Sequence, residues 1–266
     1  KQMIIIHTMK TLITFPNAHK GAFNRSYRAK IAKKEAILKI YDNKKIASFT
    51  REFGKNHQKI VKYASEREIT PNLLYLNENL IIHEYLENTP ISRKKFLKGN
   101  ILNQFKKTLV NFQASKIGKT LSLYAQIISY EDVLKNKGLI KQIMNNTESI
   151  KKYIDKYKQD YLCHGDLHFE NIIHHKNKIY FIDLDYVCVS AKGYDIAMLI
   201  YQEKMSKKEI KEISKKLKIN LSQILHYVPI CYLLDYLWQE KQVELKYIKK
   251  NKVEKKIIKN FLENIS

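Results

Sequence analysis

The chain has 266 residues, 44% of them hydrophobic, and a formal net charge of +23 from 49 Lys and Arg against 26 Asp and Glu. That composition excludes a disordered or collagen-like chain and leaves room for one large domain or two lobes around a sizeable core. The charge would attract polyanions, but the lysines are scattered along helices among Ile and Asn. With no zinc-ligand pattern, arginine-rich run or recognisable nucleic-acid motif, no specific nucleic-acid partner is expected, only a weak association with anionic surfaces.

Residues 1–15, KQMIIIHTMKTLITF, hold a short apolar run broken by His7, Lys10 and threonines, without the long apolar core or cleavage site of a signal peptide. No apolar stretch is long enough to span a bilayer. Cys163, Cys188 and Cys231 form no C-x-x-C pair, and three thiols used as small apolar residues suit a reducing compartment. A cytoplasmic protein is the expectation. Next, AFNRSYRAKI and EAILKIYD read as two strands of a hairpin, with Ile37, Lys39 and Tyr41 on one face and Ala36, Leu38 and Ile40 on the other. Residues 46–66 read as a helix, and LLYLNENLIIHEYL as two strands around a turn at Asn77–Asn79. After Pro90 the spacing of apolar residues turns helical over 92–116, 119–129 and 139–158. Residues 161–185 return to short apolar runs around the turn HHKNK, and helices are expected from 194 to the end. The pattern predicts an α+β protein: a small strand-rich lobe over 1–87, then a larger helical lobe over 88–266.

The acids of this basic chain gather between residues 161 and 200. Asp166 is followed by Asn171 in HGDLHFENII, and Asp183 and Asp185 come after the hairpin-like IIHHKNKIYFI, in FIDLDY. Carboxylates packed this densely are costly without cations. Capping and strand-end residues would be the bland explanation, but the order H-x-D-x-x-x-x-N, strand, turn, strand, Asp is specific. It resembles the catalytic loop and metal-binding segment of the kinase fold. In detail the chain is similar to the aminoglycoside phosphotransferase and choline kinase superfamily, in which HGD replaces the HRD of protein kinases, and it stands nearest the bacterial choline/ethanolamine kinase-like members.

That resemblance implies a two-lobed kinase-like fold that uses ATP and Mg²⁺. It makes Asp166 the base that orients and deprotonates the attacking hydroxyl, Asn171 and Asp183 metal ligands, and Asp185 a further metal-facing group. His164 and Asp195 would support the catalytic loop, whereas His168, His174 and His175 read as solvated. Lys39 occupies the position of the strand lysine that meets the nucleotide phosphates, and Glu52 that of its helix partner. Around the phosphates the chain departs from G-x-G-x-x-G: only Gly21 is present, and Asn24 and Ser26 take its place. IIHEYL resembles the adenine hinge, which makes the main chain of Glu84 and Leu86 the contact.

The acceptor is less legible. The late helix ICYLLDYLWQE presents Tyr232, Asp235, Tyr236 and Trp238 at helical spacing, a set that could hold a quaternary ammonium group by cation–π attraction. An ordinary core helix reads the same way, and the paired tryptophans of choline kinases are not reproduced. A small-molecule hydroxyl substrate is expected, choline or a related amino alcohol first. Thiamine, an aminoglycoside or a lipopolysaccharide sugar are the alternatives within the enzyme class, and a non-catalytic scaffold resembling spore-coat members is the alternative outside it. Nothing in the sequence fixes the oligomeric state.

Overall fold

The computed structural model describes residues 24–31, 34–42, 56–87, 91–115, 121–135 and 137–266, with the backbone of three further short strands. Those strands are β1 (Met3–Ile5), β2 (Leu12–Thr14) and β3 (Ala18–Lys20), in a stretch with no strand expectation. The hairpin follows as β4 (Asn24–Ile31) and β5 (Lys34–Tyr41). Helix α1 is described over His57–Glu66, the C-terminal half of the expected helix. Strands β6 (Leu73–Leu76) and β7 (Leu80–Glu84) complete an antiparallel sheet in the order β3-β4-β5-β7-β6.

The alternation in β5 gives the sheet two faces. Ala36 and Leu38 join Ala29, Ile31 and Ile82 in a small core on one side. Ile37, Lys39 and Tyr41 face a cleft on the other, beside Ile81 and His83. Because side chains alternate, a strand can serve a core and a site at once.

The helical part begins with α2 (Arg93–Phe96) and α3 (Gly99–Gln113), where one helix over 92–116 was expected. Lys98 between them is extended (φ −64, ψ 134), which resets the helix direction. Helix α4 is Leu123–Ile128. The expected helix over 139–158 is likewise two, α5 (Gly138–Asn145) and α6 (Thr147–Ile154), separated at Asn146, whose short polar side chain competes with helical bonding. Strand β8 (Tyr161–Cys163), the hairpin β9 (Ile172–His175) and β10 (Lys178–Phe181), and β11 (Cys188–Ser190) carry the motif segment. Helices α7 (Tyr194–Glu203), α8 (Lys207–Leu217), α9 (Leu221–Glu244) and α10 (Lys255–Ile265) finish the chain. A capping box starts α8: Ser206 Oγ accepts from Glu209 N–H, and Glu209 accepts from Ser206 N–H.

The main core lies among these helices and runs up to the sheet through Tyr41, Ile60, Val61 and Ile81. Phe96, Phe105, Phe112 and Phe181 are fully buried and meet edge to face; truncating one to Ala would cost about 3–5 kcal/mol. Cys163, Cys188 and Cys231 are free and buried, and the first two are register partners on β8 and β11. Among the described residues no helix is long and apolar enough to cross a membrane.

Candidate active site

Two short antiparallel pairings assemble the site. β9 and β10 pair so that Ile172 faces Phe181, which makes the residues flanking the hairpin neighbours. Ile182 N–H donates to Asn171 O (3.1 Å), and Asp183 follows directly. β8 pairs with β11, Cys163 opposite Cys188, which lays the turn after β8 against the residues before β11. Asp166, Asn171 and Asp183, separated by up to 17 positions, are thereby gathered at one end of the hairpin.

Gly165 makes this approach possible. Its φ is +81, and a Cβ there would stand 2.0 Å from Tyr186 O. Its N–H donates to Asp195 Oδ1 (3.2 Å) at the start of α7. Burial pushes the Asp195 carboxyl up to about 6, against the backbone donors that favour its charged form. His164 is buried beneath the loop, with Nε2–H donating to Ile182 O (2.8 Å) and Nδ1 accepting from Asp166 N–H (3.3 Å). One neutral tautomer satisfies both bonds, and burial pushes this imidazole down to about 4.

Asp166 faces the cleft. Asn171 Nδ2 donates to its carbonyl (2.8 Å) and its carboxylate (3.3 Å), and His168 Nε2 lies 3.8 Å away. Burial raises the Asp166 pKa, while His168 and Asn171 pull it down. Asp183 holds a left-handed conformation (φ 61, ψ 59), tolerated best by Asp, Asn and Gly. Lys39 Nζ reaches across from β5 to Asp183 Oδ1 (2.5 Å) and Asp185 Oδ2 (2.6 Å). Desolvation, then the neighbouring Asp185 charge, pushes the Asp183 carboxyl up. Burial alone would raise Asp185 as well, but the Lys39 ammonium and the His57 donor outweigh it and hold that carboxyl well below the ordinary range.

The cleft between sheet and helices has a volume of about 1070 Å³. It is lined by Asn24, Ser26 and Lys39 from β4 and β5, by Glu84 and Leu86 at the end of β7 and beyond, and by Asp166, Asn171, Asp183 and Asp185 from the motif segment. The expected partner of Lys39, Glu52, lies outside the described residues, as does Gly21. Of the late-helix set, Trp238 lines the cleft and its Nε1–H donates to Tyr186 Oη (2.8 Å). Tyr232 and Asp235 instead meet Tyr201 through a ring contact (4.4 Å) and a short hydrogen bond. Tyr236 is 2% exposed. Neither Tyr232, Asp235 nor Tyr236 is among the residues that line the cleft.

Several contributors escaped the sequence reading. Tyr41 shares the face of Lys39 two residues on, so alternation could have found it. His57 on α1 carried no local signal. Nor did Glu203, at the far end of α7, which accepts from Phe169 N–H in the loop after β8 (2.8 Å).

A family model for choline/ethanolamine kinase matches residues 17–266. The chain belongs to the choline/ethanolamine kinase family. As a member it is a small-molecule kinase. It is 29% identical over 190 residues to the Protein LicA homolog of Mycoplasma capricolum subsp. capricolum, covering 70% of this chain and 72% of that one. Among solved structures it resembles choline kinase LicA from Streptococcus pneumoniae, with a TM-score of 0.73, 15% identity and 90% and 89% of the two chains covered. It resembles LicA in complex with AMP with a TM-score of 0.75, 15% identity and 95% and 92% coverage. These likenesses establish the two-lobed kinase-like fold for this family member, with the β-sheet lobe and the helical lobe on either side of the cleft.

Proposed function

We propose that this protein transfers the γ-phosphoryl group of ATP to the hydroxyl of choline or a related amino alcohol, with Mg²⁺, in the cytoplasm. The observation that carries the reading is the convergence of Asp166, Asn171, Asp183 and Lys39 in one cleft, from segments up to 144 residues apart. Asp166 accepts the proton of the acceptor hydroxyl, and burial, which raises its pKa, makes it a better base. The hydroxyl oxygen then bonds to the γ-phosphorus while the bond from phosphorus to the β–γ bridging oxygen breaks and ADP leaves. Lys39, Asn24 and Ser26 face the phosphates from the sheet, and the main chain around Glu84 and Leu86 faces the adenine. Catalysis is positioning and charge stabilisation, with no covalent intermediate on the protein.

The donor set fits Mg²⁺. Asn171 spends its amide N–H on Asp166, which leaves its amide oxygen as an acceptor, and Asp183 keeps one carboxylate oxygen without a hydrogen bond to Lys39. Hard oxygen donors, too few for a closed cage, suit a cation that shares its sphere with phosphates and water. Bound there, Mg²⁺ would neutralise charge on the transferring phosphate. On the acceptor side Trp238 and Tyr186 line the same cleft as Asp166, aromatic rings of the kind that attract a quaternary ammonium group.

The test is ADP release from ATP and Mg²⁺ across choline, ethanolamine, thiamine, aminoglycosides and core sugars, beside Asp166→Ala. Stimulation by choline or ethanolamine, lost in the variant, is the expected result. Stimulation by another compound replaces the acceptor. Nucleotide binding without turnover on any of these compounds overturns choline and the related amino alcohols as acceptors.

A further inference from the structure

Asp183 and Asp185 stand two residues apart beside the same lysine, yet their surroundings differ. The Asp183 side chain is 40% exposed to the cleft, that of Asp185 2%. Asp185 is gripped on both oxygens. Its Oδ1 accepts from Tyr41 Oη (2.8 Å) and lies 3.3 Å from His57 Nε2. Its Oδ2 accepts from Lys39 Nζ (2.6 Å) and Asn24 Nδ2 (3.0 Å). A carboxylate offers about four lone-pair directions, and here three accept hydrogen bonds, from Asn24, Lys39 and Tyr41, while His57 lies alongside. All four partners come from the sheet lobe: one from β4, two from β5, and His57 from the first residue of α1. The carboxylate itself belongs to the helical lobe, just before β11.

We infer that Asp185 is an interlobe anchor and not a metal ligand. It positions the sheet lobe, and with it Lys39 and Asn24, over the catalytic floor, and Tyr41 and His57 are the positioning residues that hold it. Mg²⁺ needs oxygens that point into the cleft at about 2.0–2.1 Å, which the exposed Asp183 can offer and a buried carboxylate with hydrogen bonds on both oxygens cannot. A buried carboxylate with this many partners gives specific geometry, and removing it leaves the opposing donors without an acceptor. The anchor rests on the reading of the cleft as a nucleotide site only for its metal half; the interlobe half stands on geometry alone.

The experiment therefore has two arms. In the first, melting temperatures are measured without nucleotide or divalent cation for Asp185→Asn, Tyr41→Phe and the double variant. Asp185→Asn should lower Tm by roughly 5–10 °C, and Tyr41→Phe by about 2–4 °C in the wild-type background but by less than about 1 °C in Asp185→Asn. In the second, Mn²⁺ binding in the presence of ADP is followed by water-proton relaxation. Asp183→Asn should lose it, and Asp185→Asn should retain it within about threefold. An unchanged Tm in Asp185→Asn, or additive losses in the double variant, overturns the anchor. Unchanged Tm together with lost Mn²⁺ binding makes Asp185 a ligand instead. If the wild-type protein takes up no Mn²⁺ with ADP, the nucleotide reading fails, and the thermal cycle still decides the anchor.

Discussion

The segment from β8 to β11 and the helix α9 both present polar and aromatic residues at suggestive spacing, and the fold treats them differently. In the first, pairings of three and four residues fix the register, so Asp166, Asn171 and Asp183 have one way to lie. In the second, a helix 24 residues long presents side chains all round, and neighbours decide which meet the cleft. Trp238 does, whereas Tyr236 is buried and Tyr232 packs on Tyr201. Spacing is informative where the backbone has a single register; on a helix wrapped by others it names a face without saying what covers it.

That contrast can be tested by substitution, the largest effects falling in the motif segment. Asp183→Ala should cut turnover by at least about 10³-fold with an unchanged circular dichroism spectrum. Turnover within tenfold of wild type would remove it from the site. Gly165→Ala should cost about 3 kcal/mol or more in urea unfolding, because its Cβ would meet Tyr186 O at 2.0 Å and its φ of +81 disfavours L side chains. An unchanged midpoint would mean that the loop can sit elsewhere.

The next effect is a pH dependence. Burial pushes the His164 imidazole down to about 4 in the folded protein from 6.5 ordinarily. Between those values the unfolded chain takes up a proton that the folded protein refuses. Stability is therefore full above about pH 6.5 and falls as pH drops toward 4, by about 3 kcal/mol from this group. His83, pushed down to about 4 chiefly by burial, adds a slope of the same sign. His164→Gln should remove part of the loss between pH 7 and 5, and an identical slope in the variant would exclude His164 as a cause. The smallest effect belongs to α9. Trp238→Ala should raise the acceptor KM about tenfold, and Tyr236→Phe should leave it within about twofold; the reverse pattern would move the acceptor deeper into the helix layer.

The sheet and its hairpins were legible because β5 alternates and the turn at Asn77–Asn79 interrupts two apolar runs. The acid cluster was legible because its spacing is local. The partners of Lys39 were not: 144 and 146 residues separate it from Asp183 and Asp185, and no periodicity reports a meeting across the chain. The breaks at Lys98 and Asn146 escaped for a different reason. Apolar spacing continues across them, so only the backbone direction changes. Glu203 and His57 needed the tertiary structure, since each acts at the end of a helix whose docking places it.

The three buried cysteines turn the native fold into its own chemical clock. Burial holds the Cys163, Cys188 and Cys231 thiols well above their ordinary pKa, so the reactive thiolate is scarce and shielded. They sit on β8, β11 and α9, far apart in sequence but within one core. A small alkylating reagent can then label this protein only when the helical lobe opens, and all three sites should be consumed at a common rate. Labelling in living cells would report how often that lobe comes apart, without a tag or a probe added to the chain.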